Sequence, residues 1–281
     1  MILTAQPAPR TRELNADGGH WYTTSGSPCH SVDKADGSGK RNTTLRDARK
    51  LGLYPSVTSI SKMIANPSLD RWKQAQILKA CIDSPRAERE TEEFFRSRIT
   101  QQAQKKMVDA RAFGSQVHEA IDELNKTGFL DSKFEDVKPW IAEYVKWKED
   151  LSIRFLKTEF TAINHSKGYA GQVDGLGVVQ GKYNTLLDYK TQDYSKEPRW
   201  YESWPIQLAA YLNADWEGKP ARIHRVMSVV ICSSKPLYPE VRVWTKQELR
   251  SAWKAFQAAN ILWQITNKFD PAANAKEIER G

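Results

Sequence analysis

The chain has 281 residues, enough to bury a sizeable core, and its 42 Lys and Arg against 34 Asp and Glu give a formal charge of +8 and a pI near 9.2. Nothing in the length or composition suggests a peptide or a fibre, and the basic balance favours a polyanionic partner where the excess is clustered. No run approaches the length of a membrane-spanning helix, and "MILTAQPAPRTREL" has no continuous apolar core for a secretory leader, so the expectation is a cytoplasmic protein. Cys29, Cys81 and Cys232 are odd in number and far apart, which argues against a disulfide framework and fits a reducing compartment.

In chain order, residues 18–50 are rich in Gly, Ser, Asp and Lys, as in "DKADGSGKRN". That composition cannot bury a core, and residues 1–50 read as a basic, loop-rich extension. "YPSVTSISKMI" offers Ser56 or Thr58 as the N-cap of a short helix carrying Ile60, Met63 and Ile64, with Pro67 closing it. Met107, Ala110, Phe113, Val117, Ile121 and Leu124 recur at helical spacing within residues 86–126, and Gly128 is the stop. A second helix spans about Trp140 to Trp147. Three strands follow, Phe155 to Ile163, Tyr169 to Val179 and Asn184 to Thr191, the last two joined by a turn at "QGKYN". "WPIQLAAYLNA" reads as a helix with Pro205 in its first turn, and "RIHRVMSVVICSS" as a buried strand. Thr245 and Glu248 form a capping box for a final helix to about residue 267, followed by a polar tail. Helix, three strands, helix, strand indicates an α/β domain with a mixed sheet over residues 51–281.

Residues two apart on a strand share a face, so Asp188 and Lys190 stand side by side, and Asp174 needs only a neighbouring strand to join them. Carboxylates so placed repel each other unless a divalent cation lies between them. An all-oxygen set favours Mg²⁺ or Mn²⁺, and a lysine beside such an ion can steady charge developing on a phosphorane or help prepare the attacking water. Glu159 lies on the preceding strand within reach of the same cluster. His118 follows Gly114 by one helical turn, and the missing side chain at Gly114 permits close approach. Gln207 and Tyr211, four apart, share one helix face.

"GSQVH" ending at His118, "GQVD" ending at Asp174, "DYK" at 188–190 and "QLAAY" at 207–211 resemble, in order, the four motifs of the RecB-type branch of the PD-(D/E)XK nuclease superfamily, nearest its small single-domain exonucleases of the mitochondrial genome maintenance kind. The resemblance covers about residues 113–232. It implies a restriction-endonuclease-like αβββαβ core, a central mixed sheet flanked by helices, and a metal-dependent deoxyribonuclease acting in DNA recombination, repair or degradation. The implied catalytic set is Asp174, Asp188, Lys190, Glu159, Gln207 and Tyr211. Mg²⁺ or Mn²⁺ would be held by His118, Glu159, Asp174, Asp188 and Tyr189. DNA would be contacted by Trp200, Tyr201 and Trp204 of "PRWYESW", which could stack on the bases of a threaded strand, with Gln207, Tyr211, Ser56 and Thr58. Some relatives carry a four-cysteine iron–sulfur cluster, which three dispersed cysteines cannot supply. No GxxxxGK[ST] loop is present, so any helicase motor would be a separate chain, and recombination or replication proteins are the expected companions. The competing readings are a silent DNA-binding module that keeps only the fold, an endonuclease, and a two-carboxylate glycosidase, which would have no use for a strand lysine.

Overall fold

The computed structural model describes residues 19–65 and 67–280. In chain order the elements are β1 (Trp21–Tyr22), β2 (Ser31–Asp33), β3 (Lys40–Asn42), α1 (Leu45–Leu51), β4 (Tyr54–Pro55), α2 (Val57–Ser61), α3 (Pro67–Asp83) and α4 (Glu92–Thr127). A 3-10 turn (Ser132–Val137) leads into α5 (Lys138–Asp150), β5 (Arg154–Asn164), β6 (Tyr169–Val179), β7 (Tyr183–Gln192), α6 (Ser203–Leu212), β8 (Arg225–Cys232), β9 (Glu240–Val243), α7 (Lys246–Asn267) and α8 (Pro271–Arg280).

The centre is a five-stranded sheet in the order β5-β6-β7-β8-β9. Neighbouring strands are antiparallel except β7 and β8, which are parallel and joined through α6, so the sheet is mixed. Strand alternation divides its side chains between two cores. Val173, Leu186, Val226 and Val230 pack with Val57 of α2, Leu208 of α6 and Phe256 of α7. Leu187, Tyr189, Met227 and Val229 pack on the opposite face with Val117 and Ile121 of α4 and Tyr144 and Trp147 of α5. The result is three layers, helices on either side of the sheet, each burying one apolar stripe.

Local signals explain most boundaries. Ser56 caps α2 by accepting the N–H of Ser59, Gly128 ends α4 in the left-handed conformation at φ 78°, and Thr245 with Glu248 completes a capping box on α7. The β6–β7 turn is made by two successive left-handed residues, Gln180 and Gly181, the arrangement that matches strand twist.

Three expectations are corrected. Pro67 does not close a helix but opens α3, where its missing N–H is one of those a first turn leaves unpaired. The polar tail after residue 267 contains α8, whose Ala275 is buried against Tyr22, Tyr54 and Ala170. The loop-rich stretch before residue 51 is not wholly peripheral: Trp21 packs edge-on to Trp263, and Ala48 is fully buried. Few residues there are apolar, but those few reach a core built by other elements. Residues 1–18 of the expected extension lie outside the described residues.

Candidate metal centre

The β6–β7 ladder ends at the Gly175–Leu187 pair. Beyond it β6 continues beside β5 while β7 continues beside β8, so the sheet forks at Asp174 and Asp188. Polar side chains can occupy such a fork because no cross-strand ladder closes it. The Asp174 carboxylate reaches across and accepts the main-chain N–H of Tyr189 at 2.6 Å.

His118 enters the fork from α4, its Nδ1 lying 3.8 Å from Asp174 Oδ2. Helix α4 comes close because a side chain at Gly114 would meet Thr191 Oγ1 of β7 at 2.9 Å. Glu159 comes from β5, where Thr158 pairs with Gly175 and Phe160 with Val173, so the register sets Glu159 opposite Asp174, with φ at +46°. A non-glycine residue held there is strained, and such strain collects at functional sites. One ligand atom from each of His118, Glu159 and Asp174 lies within 4.8 Å of the others. Burial first, and then the nearby Asp174, push the Glu159 carboxyl up to about 8.

Asp188 stands beside this group rather than within it. Its Oδ1 accepts from Lys190 Nζ at 2.7 Å, while Oδ2 is buried with no hydrogen-bond partner among the described residues. Burial raises the Asp188 carboxyl, and Lys190 opposes that rise. Lys190 also donates to Gln207 Oε1 at 3.4 Å, and Gln207 Nε2 donates to Tyr211 Oη at 3.0 Å. A polar line therefore runs from β7 into α6. Tyr211 is only 3% exposed, and its ring lies where a side chain at Gly171 would stand, 2.8 Å from the ring edge.

The structure thus gathers His118, Glu159 and Asp174, and beside them Asp188, Lys190, Gln207 and Tyr211. Four predicted contacts fall elsewhere or turn inward. The Tyr189 hydroxyl shares a hydrogen bond with Tyr144 Oη at 3.1 Å, so the phenol is not available as a ligand. Trp204, at 9% exposure, belongs to the core, leaving only Trp200 and Tyr201 partly open to solvent for stacking. Tyr211 and Ser56 are buried, Ser56 being occupied with capping α2 and bonding Thr58 and Ser59, whereas Thr58 is exposed. Sequence reading passed over Asp122, one turn beyond His118 on α4, whose charge helps raise Glu159 and which pairs with Lys126 at 2.7 Å. The i, i+4 spacing from His118 was the available signal.

No protein-family model and no curated protein matches this sequence. A solved structure from Eubacterium rectale, provisionally named an exonuclease, is 14% identical with a TM-score of 0.34, covering 69% of this chain and 67% of its own. A likeness of that size is too slight to bear on function.

Proposed function

We propose that the chain is a divalent-metal-dependent deoxyribonuclease of the RecB-like PD-(D/E)XK type, an exonuclease preferring single-stranded or frayed DNA ends. The observation that carries this reading is the His118–Glu159–Asp174 ligand group at the fork of a mixed sheet, with the buried Asp188–Lys190 pair beside it. The donor set suits Mg²⁺ or Mn²⁺: two carboxylates and one imidazole, a raised Glu159 carboxyl, and the partnerless Asp188 Oδ2 close at hand. His118, Glu159 and Asp174 would hold the ion, and Asp188 would add its free oxygen. An ion held there would supply Lewis-acid polarisation of a phosphate oxygen and a lowered pKa for a bound water.

The chain's own groups do the rest. The Tyr189 N–H holds the Asp174 carboxylate in one orientation. Asp188 and Gln207 hold the Lys190 ammonium so that a fixed positive charge faces negative charge developing on the phosphate. Tyr211 anchors Gln207 from within the core. Trp200 and Tyr201, half-exposed just before α6, offer rings for base stacking, and the net charge of +8 favours a polyanion.

The experiment is digestion of end-labelled linear and circular single-stranded DNA. Linear DNA should be degraded in Mg²⁺ or Mn²⁺ and not in excess EDTA, with circles resistant because they present no end. Undiminished cleavage in EDTA overturns the metal-dependent reading, and equal rates on circles and linear strands make the enzyme an endonuclease.

A further inference from the structure

Beside the ligand group runs a second line of polar side chains, linking α4, α5 and β7. Lys148 Nζ of α5 donates to Asn125 Oδ1 of α4 at 2.8 Å, and Asn125 Nδ2 donates to Tyr144 Oη of α5 at 2.7 Å. Tyr144 Oη in turn shares a hydrogen bond with Tyr189 Oη of β7 at 3.1 Å, with both rings buried. The lysine has only protons to give, so Asn125 must accept with its oxygen and donate with its nitrogen. The orientation of the amide is therefore fixed by the chain itself.

Tyr189 is where this chain meets the site. Its N–H is bonded to Asp174, and its ring meets the His118 ring edge-on, with centroids 5.9 Å apart. One residue thus touches two of the three candidate ligands. It sits just past the point where the β6–β7 ladder stops, so its strand is held by the ladder to β8, where Tyr189 pairs with Val229, and no longer by β6. The hydroxyl bond to Tyr144 supplies a fixing point on the α4–α5 side.

We infer that Tyr189 and Tyr144 are positioning residues of the metal centre, a hydrogen-bonded brace that holds His118 and Asp174 at ligand spacing. The inference rests on the reading that His118, Glu159 and Asp174 bind a divalent cation. Outer groups that orient ligands change metal affinity when removed although they never contact the ion, commonly by about 10–100-fold.

Calorimetric titration of Mn²⁺ into the full chain tests it, together with thermal melts of the metal-free protein. Tyr144→Phe and Tyr189→Phe each remove one hydroxyl and keep the ring. Each should weaken Mn²⁺ binding about tenfold or more, and because both cut the same hydrogen bond the double variant should lose no more than the worse single one. Tyr238→Phe, which removes an exposed hydroxyl bonded to Asp150, should bind as the wild type does. Unchanged affinity in the folded single variants overturns the brace, as do losses that multiply in the double variant, since these would reflect independent packing defects. If Tyr144→Phe does not fold, Tyr189→Phe alone decides, with unchanged affinity overturning the inference. Failure of the wild type to bind Mn²⁺ removes the underlying reading and the brace with it.

Discussion

Glu159 combines two unfavourable features, a left-handed backbone and an ionisable, half-buried side chain. The left-handed conformation costs a residue with a Cβ about 1–2 kcal/mol and costs glycine nothing. Glu159→Gly should therefore be more stable than Glu159→Ala by about 1 kcal/mol in urea unfolding, while both lose divalent-cation binding to a similar degree. A Glu159→Ala variant as stable as Glu159→Gly would show that the strain is not real. At Lys190 and Asp188 the expectation is kinetic. Lys190→Ala and Asp188→Asn should lower cleavage by about 10² or more with DNA affinity largely kept, because these groups face charge that develops only in the transition state. Equal losses of binding and cleavage in Lys190→Ala would make it a phosphate anchor. The pairing of Asp188 with Lys190 was legible because a strand's period is two. The inward turns of Trp204 and Tyr211 were not, since an aromatic that packs a helix and one that stacks on a base look alike until burial is known.

At the level of elements, the sequence carried α4, α7 and the three central strands because each has a clear period and a chemical start or stop: Gly128, the turn at Gln180–Gly181, and the Thr245–Glu248 box; it did not carry the 17-residue α3, whose apolar residues follow no helical period. The elements it did not carry are short or weakly patterned. β9 has four residues and no fully buried side chain, and α8 buries only a narrow stripe of Pro271, Ala272 and Ala275. The fork itself was invisible, because where two strands part depends on hydrogen-bond register, which residue types do not encode at a single position. The docking of α8 depends on Gly168, left-handed at φ 65°, where an added side-chain carbon would lie 2.6 Å from the Ala272 main-chain nitrogen. Gly181 has nearly the same φ, 64°, but faces open space. Gly181→Ala should cost about 1 kcal/mol from backbone strain alone, and Gly168→Ala distinctly more. Equal costs in urea denaturation would show that α8 yields freely.

For the molecule as a whole, the Glu159 carboxyl ties stability to pH. The Glu159 carboxyl is raised from an ordinary 4.5 to about 8, so folding favours its protonated form. That contribution is fully present below about pH 4.5 and is lost as pH rises through about 8. A divalent cation takes over the role of the proton, so the rise in Tm caused by Mn²⁺ should be larger at pH 8 than at pH 5.5. Metal-free Glu159→Gln should fall less in Tm over that interval than the wild type, and an identical fall would remove Glu159 as the source. No helix among the described residues is long and apolar enough to cross a membrane. Between two layers of helices, the fork of the sheet gathers His118, Glu159, Asp174, Asp188 and Lys190. The most direct measurement is therefore a crystal grown with Mn²⁺ and an anomalous-difference map at the manganese edge. A peak is expected within ligand distance of His118, Glu159 and Asp174 and is lost in Asp174→Ala; a map with no peak there, or a peak unchanged by that substitution, would show that these residues hold no metal.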